Sequence, residues 1–143
     1  LVLEPCARRS GVAPSCTDRL IEAGVARVVI AAGDPHPNAG GAGVKRLKAA
    51  GIEVESGLCQ ADGEALNAGF FSRVTHNAPI VCADADAMRY DSQFNPLPGE
   101  AHAAALARLA SIGLTRVCVM PGSALALALE KQNLLTPPFR LSP

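Results

Sequence analysis

The chain has 143 residues, enough for one sizeable core or for a compact domain of about 80 residues with a partial second one, and the latter is expected. Thirteen Lys and Arg balance thirteen Asp and Glu, so the formal net charge is zero. This argues against a phosphate-tracking nucleic-acid surface and against an anionic membrane partner, and leaves small metabolites as the better-fitting ligands.

No apolar run approaches the roughly 20 residues that span a bilayer, and no basic-then-apolar leader is present, so the chain reads as cytoplasmic. Its five cysteines (Cys6, Cys16, Cys59, Cys82, Cys118) are an odd set at irregular spacings, more like thiols in a reducing compartment than a disulfide framework. Aromatic residues make up 3% with no Trp, which predicts a core of small aliphatic side chains in closely packed βα layers. The first residue is Leu1, inside what reads as a strand, so the N-terminus is expected to be a cut.

Leu1-Val2-Leu3 is a short apolar run ending at Pro5, read as a buried strand whose carboxyl end delivers Cys6. Nine residues, including Gly11, separate Cys6 from Cys16. Pro14 reads as opening a helix that carries Cys16, Leu20 and Ile21 and stops at Gly24, which puts Cys16 at the helix end that favours negative charge. Ala26 to Ala32, rich in β-branched residues and followed by Gly33-Asp34-Pro35, predicts a central parallel strand. A helix follows from Gly41 to Ala50, then an alternating edge strand Ile52-Glu53-Val54-Glu55. Next comes a helix from Glu64 to Arg73 with Leu66, Phe70 and Val74 facing the sheet. Residues 78–99 are rich in Pro, Asp and Gly around the run Ile80-Val81-Cys82, and read as a linker. Beyond it, Glu100 to Ile112 is an amphipathic helix with Ala104, Leu106, Leu109 and Ala110 on one side, Leu114 to Met120 a strand, and Pro121-Gly122 a turn. Ser123 caps a last helix to about Leu135, and Pro137-Pro138 reads as a frayed end.

A cysteine after a proline at a strand end, with a second cysteine at a helix start, is one half of a zinc-deaminase metal site; the other half is a His and a proton-shuttling Glu. A lone thiol at such a place is more commonly a buried core residue. In most zinc deaminases two residues separate the cysteines, within one helical turn, whereas here the second thiol must return from a loop. Gly41-Ala42-Gly43 superficially suggests a phosphate loop but lacks a strand immediately before it.

Leu3-Glu4-Pro5-Cys6, a glycine, and Pro14-Ser15-Cys16 resemble the bifunctional riboflavin-biosynthesis deaminase/reductase family, which acts as diaminohydroxyphosphoribosylaminopyrimidine deaminase and 5-amino-6-(5-phosphoribosylamino)uracil reductase. Ala23 to Val29, Asp34-Pro35-His36-Pro37, Gly41-Ala42-Gly43, Leu47 to Val54 and Leu66 to Phe70 follow in the family's order, so the resemblance covers residues 1 to about 75. Arg8 and Arg9 stand where the family carries histidines, and the loop is one residue longer.

The resemblance implies an α/β fold: the latter half of a three-layer α/β/α cytidine-deaminase-like sheet over residues 1–77, a linker over 78–99, and a helix-strand-helix remnant of the reductase domain over 100–143. It implies zinc held by Cys6 and Cys16, an incomplete and weak site, and a pyrimidine ribosyl phosphate approached by Asp34 and His36. The chemistry implied is hydrolytic deamination at the ring carbon that bears the amine. No His-x-Glu segment occurs in the 143 residues, so no catalytic residue is assigned. Cys59, Cys82 and Cys118 are read as structural, and His76 and His102 as surface residues testable as substitute ligands. Met120-Pro121-Gly122 keeps one glycine of the reductase turn and lacks its acid, which leaves NADPH doubtful. A homo-oligomer is left open. The competing expectation is a non-catalytic remnant that keeps the α/β scaffold as a binding or interaction module.

Overall fold

The computed structural model describes residues 1–9, 12–36 and 39–138. Ser10, Gly11 and Pro37, which the sequence reading touched, lie outside them. The chain divides into two compact units, 1–67 and 68–143, with the boundary inside one helix. Both are α/β with parallel sheets.

In the first unit the run of β-branched residues forms β1 (Arg27–Ile30), paired in parallel with β2 (Glu53–Ser56) so that Val28 faces Val54. On the other edge of β1, Leu1–Leu3 runs parallel to it: Ala31 N–H donates to Leu1 O at 2.9 Å and Glu4 N–H to Ala32 O at 2.9 Å. Thus β1 is the middle row. Leu1 and Val2 are half exposed, however, so this row is not the buried strand expected from its apolarity.

Helix α1 (Cys16–Glu22) is capped by Ser15, which displaces Pro14 from the first turn: Ser15 and Asp18 form a reciprocal capping box. Helix α2 (Ala42–Ala49) follows Gly41. Val28, Ile30, Leu47 and Ile52 form the core, with Leu20, Ile21, Val25 and Val44 packed against it. Helix α3 (Gln60–His76) starts earlier than expected, after the exposed Cys59. Leu66, expected to face the sheet, is exposed. The close contact belongs to Gly63, where an added Cβ would lie 2.8 Å from the Ala31 Cβ. A bare glycine lets the helix backbone approach the end of β1.

In the second unit β5 (Arg116–Val119) is central, with β3 (Ile80–Ala83) and β4 (Ser92–Gln93) parallel to it on either side. The stretch 78–99, read as a linker, therefore carries two strands of this sheet, and Val81 and Phe94 are among its most buried residues. Leu135, which the last helix was expected to reach, instead bridges to Val81, and Thr136 N–H donates to Val81 O at 2.7 Å, so the chain just before Pro137-Pro138 adds a further row.

Helices α4 (His102–Ser111) and α5 (Ala124–Lys131) supply Ala105, Leu106, Leu109, Ala126 and Leu129 to the core with Val117 and Val119. On α4 the expected Leu106, Leu109 and Ala110 are buried, and the fourth buried position is Ala105 rather than the exposed Ala104. Side chains alternate along a strand, so Cys82 and Cys118, paired in register, lie on the face opposite Val117 and Val119. Burial pushes both thiols up from their ordinary range.

Because Phe94 is buried in the core of this unit, Phe94→Ala should cost about 3–5 kcal/mol of stability. Urea unfolding followed by far-ultraviolet circular dichroism measures this. A loss within about 0.5 kcal/mol, the range of ordinary surface substitutions, would restore the linker reading.

Candidate two-cysteine site

Beyond the hydrogen bond of Glu4 to Ala32, Pro5 turns the chain out of the sheet and Cys6 emerges past its carboxyl end. Cys16 is the first residue of α1, and its amide N–H donates to the Cys6 Sγ at 3.3 Å. The two cysteine segments are thus in contact, Cys6 half-buried and Cys16 exposed.

The backbone around Cys6 is held from two helices. From α1, the fully buried Thr17 donates its hydroxyl to Cys6 O at 2.9 Å and its amide N–H to the same carbonyl at 3.2 Å. From α2, Gly43 lies so close that an added Cβ would be 2.0 Å from Pro5 O. Arg46 donates to Ala7 O, to Ser15 Oγ at 3.5 Å, and to the carboxylate of Asp18. The Ser15 hydroxyl and amide, then the Arg46 guanidinium, hold the Asp18 carboxyl down from 3.8 to about 2.

Cys6 and Cys16 border a cavity of about 470 Å³ together with Leu1, Leu3, Pro5, Leu20, Glu4, Arg19 and Asp34. That volume is within the range of small-molecule pockets. Asp34 thus reaches the wall, whereas His36 is exposed on the same turn and donates its amide N–H to Asp34 Oδ1 at 2.8 Å; it is not part of the wall formed by the described residues. Glu4 is buried, with Oε2 accepting from Gly41 N–H at 3.1 Å and Oε1 without a partner.

The thiols are donors of the softness zinc takes, but a tetrahedral zinc site draws three or four ligands from the protein. Among the described residues no group of three or more His, Cys, Asp and Glu side chains is arranged to hold a metal. Cys6 and Cys16 are two of the three or four ligands such a site needs. His76 ends α3, its Nδ1 2.9 Å from Thr75 Oγ1, and the His102 ring stands edge-on to Phe94.

Sequence reasoning missed Thr17, Gly43 and Arg46. A glycine and an arginine three residues apart on a predicted helix share a face, which is the only local signal they gave.

The second unit has its own cavity of about 230 Å³ at the carboxyl ends of its strands, bordered by Asp84, Asn95, Cys118, Met120 and Ser123. Tyr90 donates its hydroxyl to Asp84 Oδ2 at 2.9 Å beside it.

The chain is 43% identical over 81 residues to the riboflavin biosynthesis protein RibD of Aquifex aeolicus, an alignment covering 57% of this chain and 22% of that protein. It is 38% identical over 79 residues to the diaminohydroxyphosphoribosylamino-pyrimidine deaminase of Buchnera aphidicola, covering 55% of this chain and 53% of the relative. Over a little more than half its length, the chain is homologous to the RibD deaminase/reductase family.

The chain spans about a fifth of the bifunctional relatives and about half of the deaminase. No family model matches it. Among solved structures, the Thermotoga maritima deaminase/reductase superposes with a TM-score of 0.51 at 33% identity, covering 68% of this chain and 27% of that one. Acinetobacter baumannii RibD superposes with a TM-score of 0.50 at 24% identity over 94% of this chain and 59% of that one, a likeness of fold alone. No helix among the described residues is long and apolar enough to cross a membrane.

The depressed Asp18 carboxyl makes the first unit acid-sensitive. Its folded-state value lies below the unfolded one, so its contribution is complete above pH 3.8 and is lost as the pH falls towards about 2. Asp18→Asn should therefore flatten the pH dependence of stability in that window while lowering stability at neutral pH. Unfolding midpoints taken from pH 5 down to pH 2 test this, and an unchanged slope in the variant would contradict it.

Proposed function

We propose that the first unit is the thiolate-bearing part of a zinc-dependent deaminase site whose substrate class is a diamino-hydroxy-pyrimidine ribosyl phosphate. One observation carries the reading. Cys6 and Cys16, ten residues apart in sequence, are joined by a single N–H···S bond on the wall of a cavity that Asp34 also borders. The name of the Buchnera relative supports the substrate class.

Cys6 and Cys16 would hold the metal, which when bound supplies an activated water for hydrolytic deamination. Thr17 and Gly43 fix the backbone that presents Cys6. Asp34 and His36, on one turn, are the substrate-side groups, Asp34 at the wall and His36 towards solvent. Glu4 is not a proton carrier in this reading: its carboxylate is buried, one oxygen accepting from the Gly41 amide. A nicotinamide cofactor has no part in it.

The second reading, a non-catalytic α/β binding module, is favoured by the described residues bringing together two metal-ligating side chains rather than three.

Zinc analysis after dialysis against a chelator should find less than one equivalent on the 143-residue chain, and Cys6→Ala or Cys16→Ala should remove what remains. Zinc binding indifferent to both substitutions would sink the reading, and a full retained equivalent would show that further side chains complete the site. Alone, the chain should release no ammonia from the pyrimidine substrate, because the acid–base contribution of about 10²–10⁴-fold has no carrier. Ammonia release that disappears in Glu4→Gln would make Glu4 that carrier after all.

A further inference from the structure

We propose that Arg46 is a positioning residue that sets the separation of Cys6 and Cys16; the inference rests on the two-cysteine reading above. Its three acceptors come from both ends of the cysteine loop. Ala7 O belongs to the residue directly after Cys6, Ser15 Oγ to the residue directly before Cys16, and Asp18 Oδ1 to the first turn of the helix that Cys16 opens.

A guanidinium is planar, with five N–H donors in a fixed fork, so acceptors that share it are fixed relative to one another. The fork is itself anchored, because α2 rests on Pro5 at Gly43, one turn before Arg46. Thr17 and the Cys16 amide already join α1 to Cys6. Arg46 adds the directions in which the chain leaves Cys6 and returns to Cys16, and those directions orient the two Cα–Cβ bonds. A lysine at 46 keeps the charge for Asp18, but its ammonium is a point charge on a flexible stem and does not fix its acceptors relative to one another as a fork does.

The separation can be read without metal. The full 143-residue chain, reduced, is treated with dibromobimane, which bridges two thiols only within its short reach, and bridged peptides are mapped by mass spectrometry so that Cys6–Cys16 is scored apart from Cys59, Cys82 and Cys118. The wild type should bridge Cys6 to Cys16. Arg46→Met should lower that yield roughly 3- to 10-fold, and Arg46→Lys should recover only part of it. Leu47→Val, which weakens the same helix in the core without touching the three acceptors, should leave the yield unchanged. That separates positioning from loss of stability.

Unchanged yield in both Arg46 variants, or an equal loss in Leu47→Val, overturns the proposal; if Arg46→Met does not fold, Arg46→Lys decides. A parallel cobalt(II) titration, read by thiolate-to-metal charge transfer, keeps the two ideas apart. No charge-transfer band with Arg46-dependent bridging removes the metal reading and leaves this inference standing. A band with Arg46-independent bridging does the reverse.

Discussion

The first unit is organised by the contact of α2 with the chain at Pro5. At residue 43 a Cβ would meet Pro5 O at 2.0 Å and the Thr17 hydroxyl at 3.1 Å, distances that no other residue tolerates without moving the backbone. Glycine there lets the first turn of α2 lie directly on the segment that presents Cys6. Helical spacing then does the rest. Arg46, three residues on, shares that face and reaches the loop ends, while Leu47, four residues on, enters the core with no exposed surface. Sheet, loop and both helices converge on three backbone carbonyls, those of Pro5, Cys6 and Ala7.

The same contact explains the unusual polar burial. Thr17 has no solvent exposure, yet its hydroxyl is satisfied by carbonyls that would otherwise be left dry when α1 covers them. Glu4 places a carboxylate at the amide end of α2, where negative charge is favourable, and Gly41 can precede the helix because its φ of 80° suits a residue without a side chain. The partnerless Oε1 is the residual cost of that arrangement.

How much of this could be read from the sequence depends on how far away the partners lie. Strand β1 was legible from Val28-Val29-Ile30 and the turn after it, and α2 from the helical pattern between Gly41 and Ala50, because those signals are local. The cysteine pair was legible from Pro5-Cys6 and Pro14-Ser15-Cys16. Strand β4 was not: Ser92 and Gln93 are polar and few, and they form a strand because the adjacent Asp91 carboxylate accepts from Thr115 N–H, the Thr115 hydroxyl and Arg116 N–H, which fixes the register against β5. Arg46 was equally hidden, its partners lying 28 to 39 residues away in the chain. Leu66 misled for a different reason. In a chain with so few aromatics, α3 makes its close contact to the end of β1 through Gly63, so the larger neighbour is left outside.

The packing also decides where the rest of a coordination sphere can come from. On the zinc reading, the protein side of the Cys6 segment is already taken up: the Cys16 amide is bonded to the Cys6 Sγ, the Cys6 carbonyl to Thr17, and Gly43 leaves no room beneath Pro5. Asp18 is held by Ser15 and Arg46 and Glu4 Oε2 by the Gly41 amide, so of these two carboxylates only the buried Glu4 Oε1 is without a bond to break. On that reading any further ligand from this chain would come from the cavity wall, where Glu4 and Asp34 stand with the two cysteines, and the rest from water or groups that enter the cavity.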